Sequence, residues 1–92
     1  MKRYYKRVVC NDGFSVSIQA NSQNYSVLDA RSRGYSSVEI GYPSEPDIFI
    51  LPYAEDPNNL TGTIYGYVPA SVVRKMIAAH GGLVEGEIPP LA

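Results

Sequence analysis

The hydrophobic pattern of this chain changes period along its length, and the changes divide it into elements. After the turn signal Asn11-Asp12-Gly13, Phe14, Val16 and Ile18 alternate with Ser15, Ser17 and Gln19, the period of two that marks a strand with one wet face. Residues 4–10, YYKRVVC, are aromatic and β-branched and predict the partner strand of an N-terminal hairpin. Residues 20–36 carry little periodicity. They predict a long loop containing at most a short helical turn around Val27 to Ala30, and a loop of that length in a small domain is commonly functional. Val38, Ile40 and Tyr42 alternate again and stop at Pro43, giving a third strand.

The run DIFILPY at 47–53 is almost wholly apolar. It predicts a fourth strand, buried on both faces or packed at an edge, with Pro52 excluding a central ladder position there. A polar turn, EDPNN, follows at 55–59. From Thr63 to Val68 the alternation places Ile64, Gly66 and Val68 on one face and Thr63, Tyr65 and Tyr67 on the other. Pro69 then opens the one convincing helix, in which Val72, Val73, Met76 and Ile77 form an apolar stripe at helical spacing. Gly81-Gly82 ends it with a left-handed cap. The predicted fold class is α+β: an antiparallel sheet of four to five strands with one C-terminal helix packed on it. Residues 1–83 are expected to form a single domain and 84–92 a loose C-terminal tail, although Ile88 and Leu91 could anchor it.

Composition narrows the class. A chain of 92 residues has room for one core. The net charge of −1 argues against a generic nucleic-acid binder. Its distribution is uneven: residues 1–33 carry Lys2, Arg3, Lys6, Arg7, Arg31 and Arg33 against Asp12 and Asp29, whereas 34–73 carry Glu39, Glu45, Asp47, Glu55 and Asp56 with no Lys or Arg. If the fold gathers them, these five acids build an acidic face that could mimic DNA. Otherwise they are scattered over a solvated surface. Cys10 is the sole cysteine, so a disulfide framework or thiolate cluster within the chain is excluded. The chain reads as a cytoplasmic protein without a leader, and no apolar run is long enough to span a bilayer.

Candidate chemistry is sparse. Glu55 and Asp56 are neighbours in a turn and do not converge as a general acid–base pair must. His80 is the sole histidine; a capping role at the helix C-terminus accounts for it. A Cys10–His80 dyad has no support from spacing. Pro46-Asp47 matches half of a metal-dependent nuclease motif, but the next lysine is Lys75. No catalytic residue, metal or cofactor is expected. Eight tyrosines and no tryptophan are the compositional oddity. They either form a contact surface, which tyrosine suits, or wall a thin core. The expected partner-binding residues are Glu39, Glu45, Asp47, Glu55, Asp56, Tyr65, Tyr67, Tyr25, Arg31 and Arg33, with Tyr35 near them. The alternative is nucleic-acid binding through Lys2, Arg3, Lys6 and Arg7, where basic side chains interleave with the rings of Tyr4 and Tyr5 as single-strand binding favours.

The segments DGFSVSIQA at 12–20, VEIGYPS at 38–44, YAED at 53–56, YGYVP at 65–69 and HGG at 80–82 together resemble short hypothetical proteins of bacteriophages and prophages. The resemblance implies an accessory protein acting in the cytoplasm of a bacterial host. Its partner would be a host protein complex such as a CRISPR-Cas effector, blocked by occlusion as an anti-CRISPR protein does. A homodimer is compatible with so small a sheet, whose edge strands are easily paired.

Overall fold

The computed structural model describes residues 4–21 and 24–92. The elements are β1 (Val8–Cys10), β2 (Ser15–Gln19), β3 (Val27–Asp29), β4 (Gly34–Gly41), a short 3-10 turn (Leu51–Tyr53), β5 (Ile64–Pro69), α1 (Ala70–Ala79) and β6 (Leu83–Glu85). The fold is α+β, with an antiparallel sheet and the C-terminal helix packed against it. The N-terminal hairpin forms as its pattern predicts, with Val8 opposite Val16.

Register explains how the sheet is laid out. Gln19 of β2 faces Glu39 of β4, and Val27 of β3 faces Ser37, only two residues further along β4. Strands β2 and β3 are therefore one interrupted strand lying along β4. On the opposite side of β4 lies β5, since Ser37 pairs with Pro69 as well as Val27, and Ile40 with Tyr65 as well as Ile18. The long loop expected over 20–36 is thus interrupted by β3 and by the start of β4. Its apolar pair Val27-Leu28 is too short a run to reveal a strand by periodicity, and the expected helical turn there is absent.

The inner face of the sheet and the helix enclose the core: Val8, Cys10, Phe14, Val16, Ile18, Val38, Ile40, Ile50, Tyr65, Val68, Val73 and Met76 are all buried. Burying each Val, Ile or Met side chain is worth about 1.5–3 kcal/mol, so this layer carries most of the stability. Helix α1 runs from Pro69, its N-cap, to His80, its C-cap, and Gly81 and Gly82 follow with φ of +88° and +93°. The apolar stripe at its predicted positions points at β4 and β5.

Two expectations fail. Residues 47–53 are not a strand: the Asp47 carboxylate accepts the Phe49 and Ile50 N–H groups at 2.9 and 3.3 Å, folding the run into a turn. Every second residue cannot then face one layer, and Ile50 is buried while Ile48 is 78% exposed, with Phe49 and Leu51 also at the surface. Nor is 84–92 a loose tail. Strand β6 pairs with β1, Pro89 is buried, and the Tyr35 N–H donates to the Pro90 carbonyl at 2.7 Å while the Ala92 N–H donates to the Tyr35 carbonyl at 2.8 Å. Gly34 makes this docking possible: a Cβ there would lie 2.6 Å from the Leu91 carbonyl carbon, closer than any side chain tolerates.

Candidate functional site

The outer face of the sheet, turned away from the helix, carries the short polar and small residues of the alternating strands: Ser17 and Gln19 on β2, Glu39 and Gly41 on β4, Gly66 on β5. Both neighbours of β4 break their regular pairing at Glu39. On one side β2 ends with Gln19 opposite Glu39, and pairing resumes only at Val27. On the other, β5 bulges, because Val38 pairs with Val68 but Ile40 with Tyr65, leaving Gly66 and Tyr67 opposite Glu39 alone. A bulge turns the extra residues out of the ladder. Tyr67 accordingly sits at φ +52°, a conformation that costs a non-glycine residue about 1 kcal/mol or more.

The two irregularities hold each other. The Tyr67 N–H, lost to the ladder, donates to the Tyr25 carbonyl at 3.0 Å, and the Tyr25 and Tyr67 rings lie 5.6 Å apart at 30°. Asn24, also between β2 and β3, donates through Nδ2 to Glu39 Oε2 at 3.0 Å, while its Oδ1 is buried without a partner. Opposite this pair of rings, Ala54 bridges to Tyr65 and the Glu55 N–H donates to the Ile64 carbonyl at 3.0 Å, which brings Tyr53 and Glu55 alongside β5. The result is an open groove of about 460 Å³ lined by Tyr25, Tyr53, Ala54, Glu55, Gly66 and Tyr67. Gly66 forms its floor; a Cβ there would press on the Tyr25 ring at 3.3 Å. A smaller hollow of about 180 Å³ adjoins along β5, lined by Ser17, Gln19, Glu39, Gly41, Tyr42 and Ile64.

At the helix C-terminus the chain builds something different. His80 Nδ1 lies 2.6 Å from Asp12 Oδ2, and His80 Nε2 lies 2.7 Å from Asp47 Oδ2. A neutral imidazole has one donor and one acceptor nitrogen, so facing a carboxylate on both sides requires the doubly protonated ring. The ring also stacks on Phe14, with centroids 3.9 Å apart and planes within 7°, a placement that favours a cation. Burial alone would push the His80 pKa down. The hydrogen bonds and charges of Asp12 and Asp47 outweigh that, and the imidazole is raised above its ordinary value. Asp12 is lowered, first by the Phe14 N–H that it accepts and then by His80.

These contacts join three remote segments: the β1–β2 turn, the turn after Pro46 and the end of α1. Each ring nitrogen is in direct hydrogen-bond contact with its carboxylate, so a proton rather than a metal ion joins them, and among the described residues no cluster of His, Cys, Asp and Glu is disposed to hold a metal. Cys10 shares the neighbourhood but not the chemistry. Burial, then the charges of Asp12 and Asp47, push its thiol up, away from the thiolate that nucleophilic work needs.

The residues expected from sequence fall into three groups. Tyr25, Tyr67, Glu55 and Glu39 do come together on the outer face. Asp47 and Tyr65 do not belong there: Asp47 is 7% exposed and tied to His80, and Tyr65 is 1% exposed, its hydroxyl donating to the Leu60 carbonyl. The bulge shifts the phase of β5, so Tyr65 and Val68 both face the core, which an unbroken alternation does not permit. Arg31 and Arg33 are exposed in the turn between β3 and β4, and Glu45 and Asp56 are exposed elsewhere. Of the basic N-terminal set, Lys2 and Arg3 lie outside the described residues, Lys6 is exposed, and Arg7 bonds Ser15 and the Tyr42 carbonyl. Sequence reasoning missed Tyr53 and the His80 clamp. An Asn-Asp-Gly turn and a lone histidine are the signals present, but nothing along the chain says that they meet.

Comparison with protein-family models, with curated proteins and with solved structures finds no match to this chain.

Proposed function

We propose that this protein acts by binding a partner macromolecule through the outer face of its sheet, and not by turnover. The observation that carries the reading is the tyrosine groove. Three tyrosines line one concave site, two of them about half exposed, and Tyr67 sits there at a costly backbone angle. Strain retained at an exposed aromatic residue points to use, and tyrosine supplies large contact area at low entropic cost. The groups that could act as a nucleophile or base support the same reading. The only imidazole has both nitrogens bonded to carboxylates, and the only thiol is buried and raised.

In the form that the resemblance to short phage proteins suggests, the partner is a host defence complex and the groove docks on its basic nucleic-acid channel, with Glu39 and Glu55 facing the bases. The nucleic-acid-binding alternative is weaker, because the Arg7 guanidinium is engaged with Ser15 and the Tyr42 carbonyl and the accessible face is acidic. The test is affinity capture from bacterial lysate with three baits: the native chain, Tyr67→Ala, and Lys75→Ala on the exposed side of the helix. A partner retained by the native and helix baits and lost with Tyr67→Ala is the expected result. Identical partners for all three would overturn the groove as the docking face. In a strain whose CRISPR system clears a plasmid, the host-defence form predicts plasmid survival with the native chain only.

A further inference from the structure

We infer that the groove between Tyr25, Tyr53 and Tyr67 takes the guanidinium of an arginine carried by the partner, with Glu55 as its counter-ion. This rests on the reading of the outer face as the docking face and names the chemistry recognised there.

Four observations lead to it. The groove is lined by three tyrosines, whose π-electrons attract cations, and among the described residues its only charged lining group is Glu55. The Glu55 carboxylate makes no hydrogen bond or ion pair among the described residues, in contrast to Asp12 and Asp47, which are paired with His80, and to Glu39, which accepts from Asn24. No Lys or Arg occurs from residue 34 to 73, so the strands and turns forming most of this groove supply no cation of their own. The floor is Gly66, which leaves depth beside the rings where any side chain would press on Tyr25. A negative, tyrosine-lined hollow is complementary to a flat cation.

Arginine fits better than lysine for a geometric reason. A guanidinium stacks its plane on an aromatic face while its edge donates two parallel hydrogen bonds to a carboxylate, whereas an ammonium is a compact, strongly hydrated charge. Glu39 lines the smaller hollow, on the order of 10 Å from Glu55 across two strand spacings, and adds to the negative field on this face.

The experiment is an NMR titration of the full chain with N-acetyl-arginine methylamide, compared with its lysine, glutamine and glutamate counterparts. The expected result is saturable shifts of the Tyr25, Tyr53 and Tyr67 ring resonances with arginine, dissociation in the range of about 1–50 mM as one stacked, ion-paired side chain allows, and weakening by added salt. Glu55→Gln, isosteric and at the surface, should weaken the arginine response roughly fivefold with the rest of the spectrum unchanged. Equal shifts with the glutamine analogue, tighter binding of the lysine analogue, or an arginine response indifferent to Glu55→Gln would each overturn the assignment. If a captured partner is lost with Tyr67→Ala while arginine fails to bind, the cation pocket is wrong and the docking face stands; a partner indifferent to Tyr67→Ala would reject the docking face itself.

Discussion

The two ends of this small sheet handle polar groups in opposite ways. Where α1 meets the β1–β2 turn, His80, Asp12 and Asp47 satisfy one another and nothing is left to offer: both ring nitrogens are bonded, and Asp47 Oδ1 also caps its own turn. At the bulge, rings and a carboxylate are held in place by the backbone and left open. The first arrangement spends its chemistry on joining three segments that share no local contacts. The second uses backbone irregularity to keep side chains out of the core. A constellation of acid and imidazole is therefore not by itself a site, and the more telling surface here is the one that local strain keeps accessible.

The largest effect should come from the closed end. Asp47→Ala leaves a charged, largely enclosed imidazole with one counter-ion and removes the acceptor for two N–H groups. Removing one member of a buried pair costs about 3–5 kcal/mol, and chemical denaturation at pH 6 should show a loss near the lower figure because His80 retains some solvent contact. A loss below about 1 kcal/mol would mean that the clamp is decorative.

Next in size is pH dependence. His80 holds its proton more tightly in the folded chain than in the unfolded one, so its contribution is complete below the ordinary imidazole value of 6.5 and is lost as pH rises through the raised folded value. Asp12 works in the opposite direction. Its lowered pKa adds stability above its ordinary 3.8, lost as pH falls below that. Denaturation midpoints should thus be flat between about pH 5 and 6.5 and decline above. Measurements stop at about pH 8, because the Cys10 thiol, raised in the fold from its ordinary 9.0, adds its own loss of stability once the unfolded thiol begins to ionise. Asp47→Asn should flatten the alkaline decline. An unchanged slope in that variant would place its origin elsewhere.

The smallest effect on stability, and the sharpest contrast, belongs to the open end. Tyr67→Gly relieves a positive φ, worth about 1 kcal/mol, and loses a half-exposed ring contact of similar size. The midpoint should move by less than about 0.5 kcal/mol-equivalent while partner capture disappears. A large loss of stability would instead assign Tyr67 a structural role and remove the distinction between the two ends.

Much of the architecture was legible along the chain. Period-two alternation over residues 14–19 and 38–40 and the 3.6-residue stripe of α1 each report one face meeting one core, and burial in these segments follows that pattern, whereas Tyr42, expected on the face of Val38 and Ile40, turns out of the alternation at φ +52° and is 53% exposed. Where the pattern misled, a single local interaction had changed the phase. The Asp47 side chain folded an apolar run into a turn, and the bulge at Gly66 and Tyr67 carried Tyr65 from the predicted wet face into the core. Strand β3 was hidden because its Val27 and Leu28 stay exposed at the sheet margin, so no periodicity marked them.

The sequence by itself determined the class of fold, the hairpin, the helix with its glycine stop, and the presence of tyrosine and carboxylate as the chemistry available. Only the tertiary structure decided which of those groups meet. Residues 12, 47 and 80 become neighbours through helix docking, and residues 25, 53, 55 and 67 through two breaks in the ladders flanking β4 and its neighbour. The physical reason is range. Periodicity and turn chemistry act over a few residues and are written locally, whereas strand register and bulge position are fixed by the packing of the whole sheet.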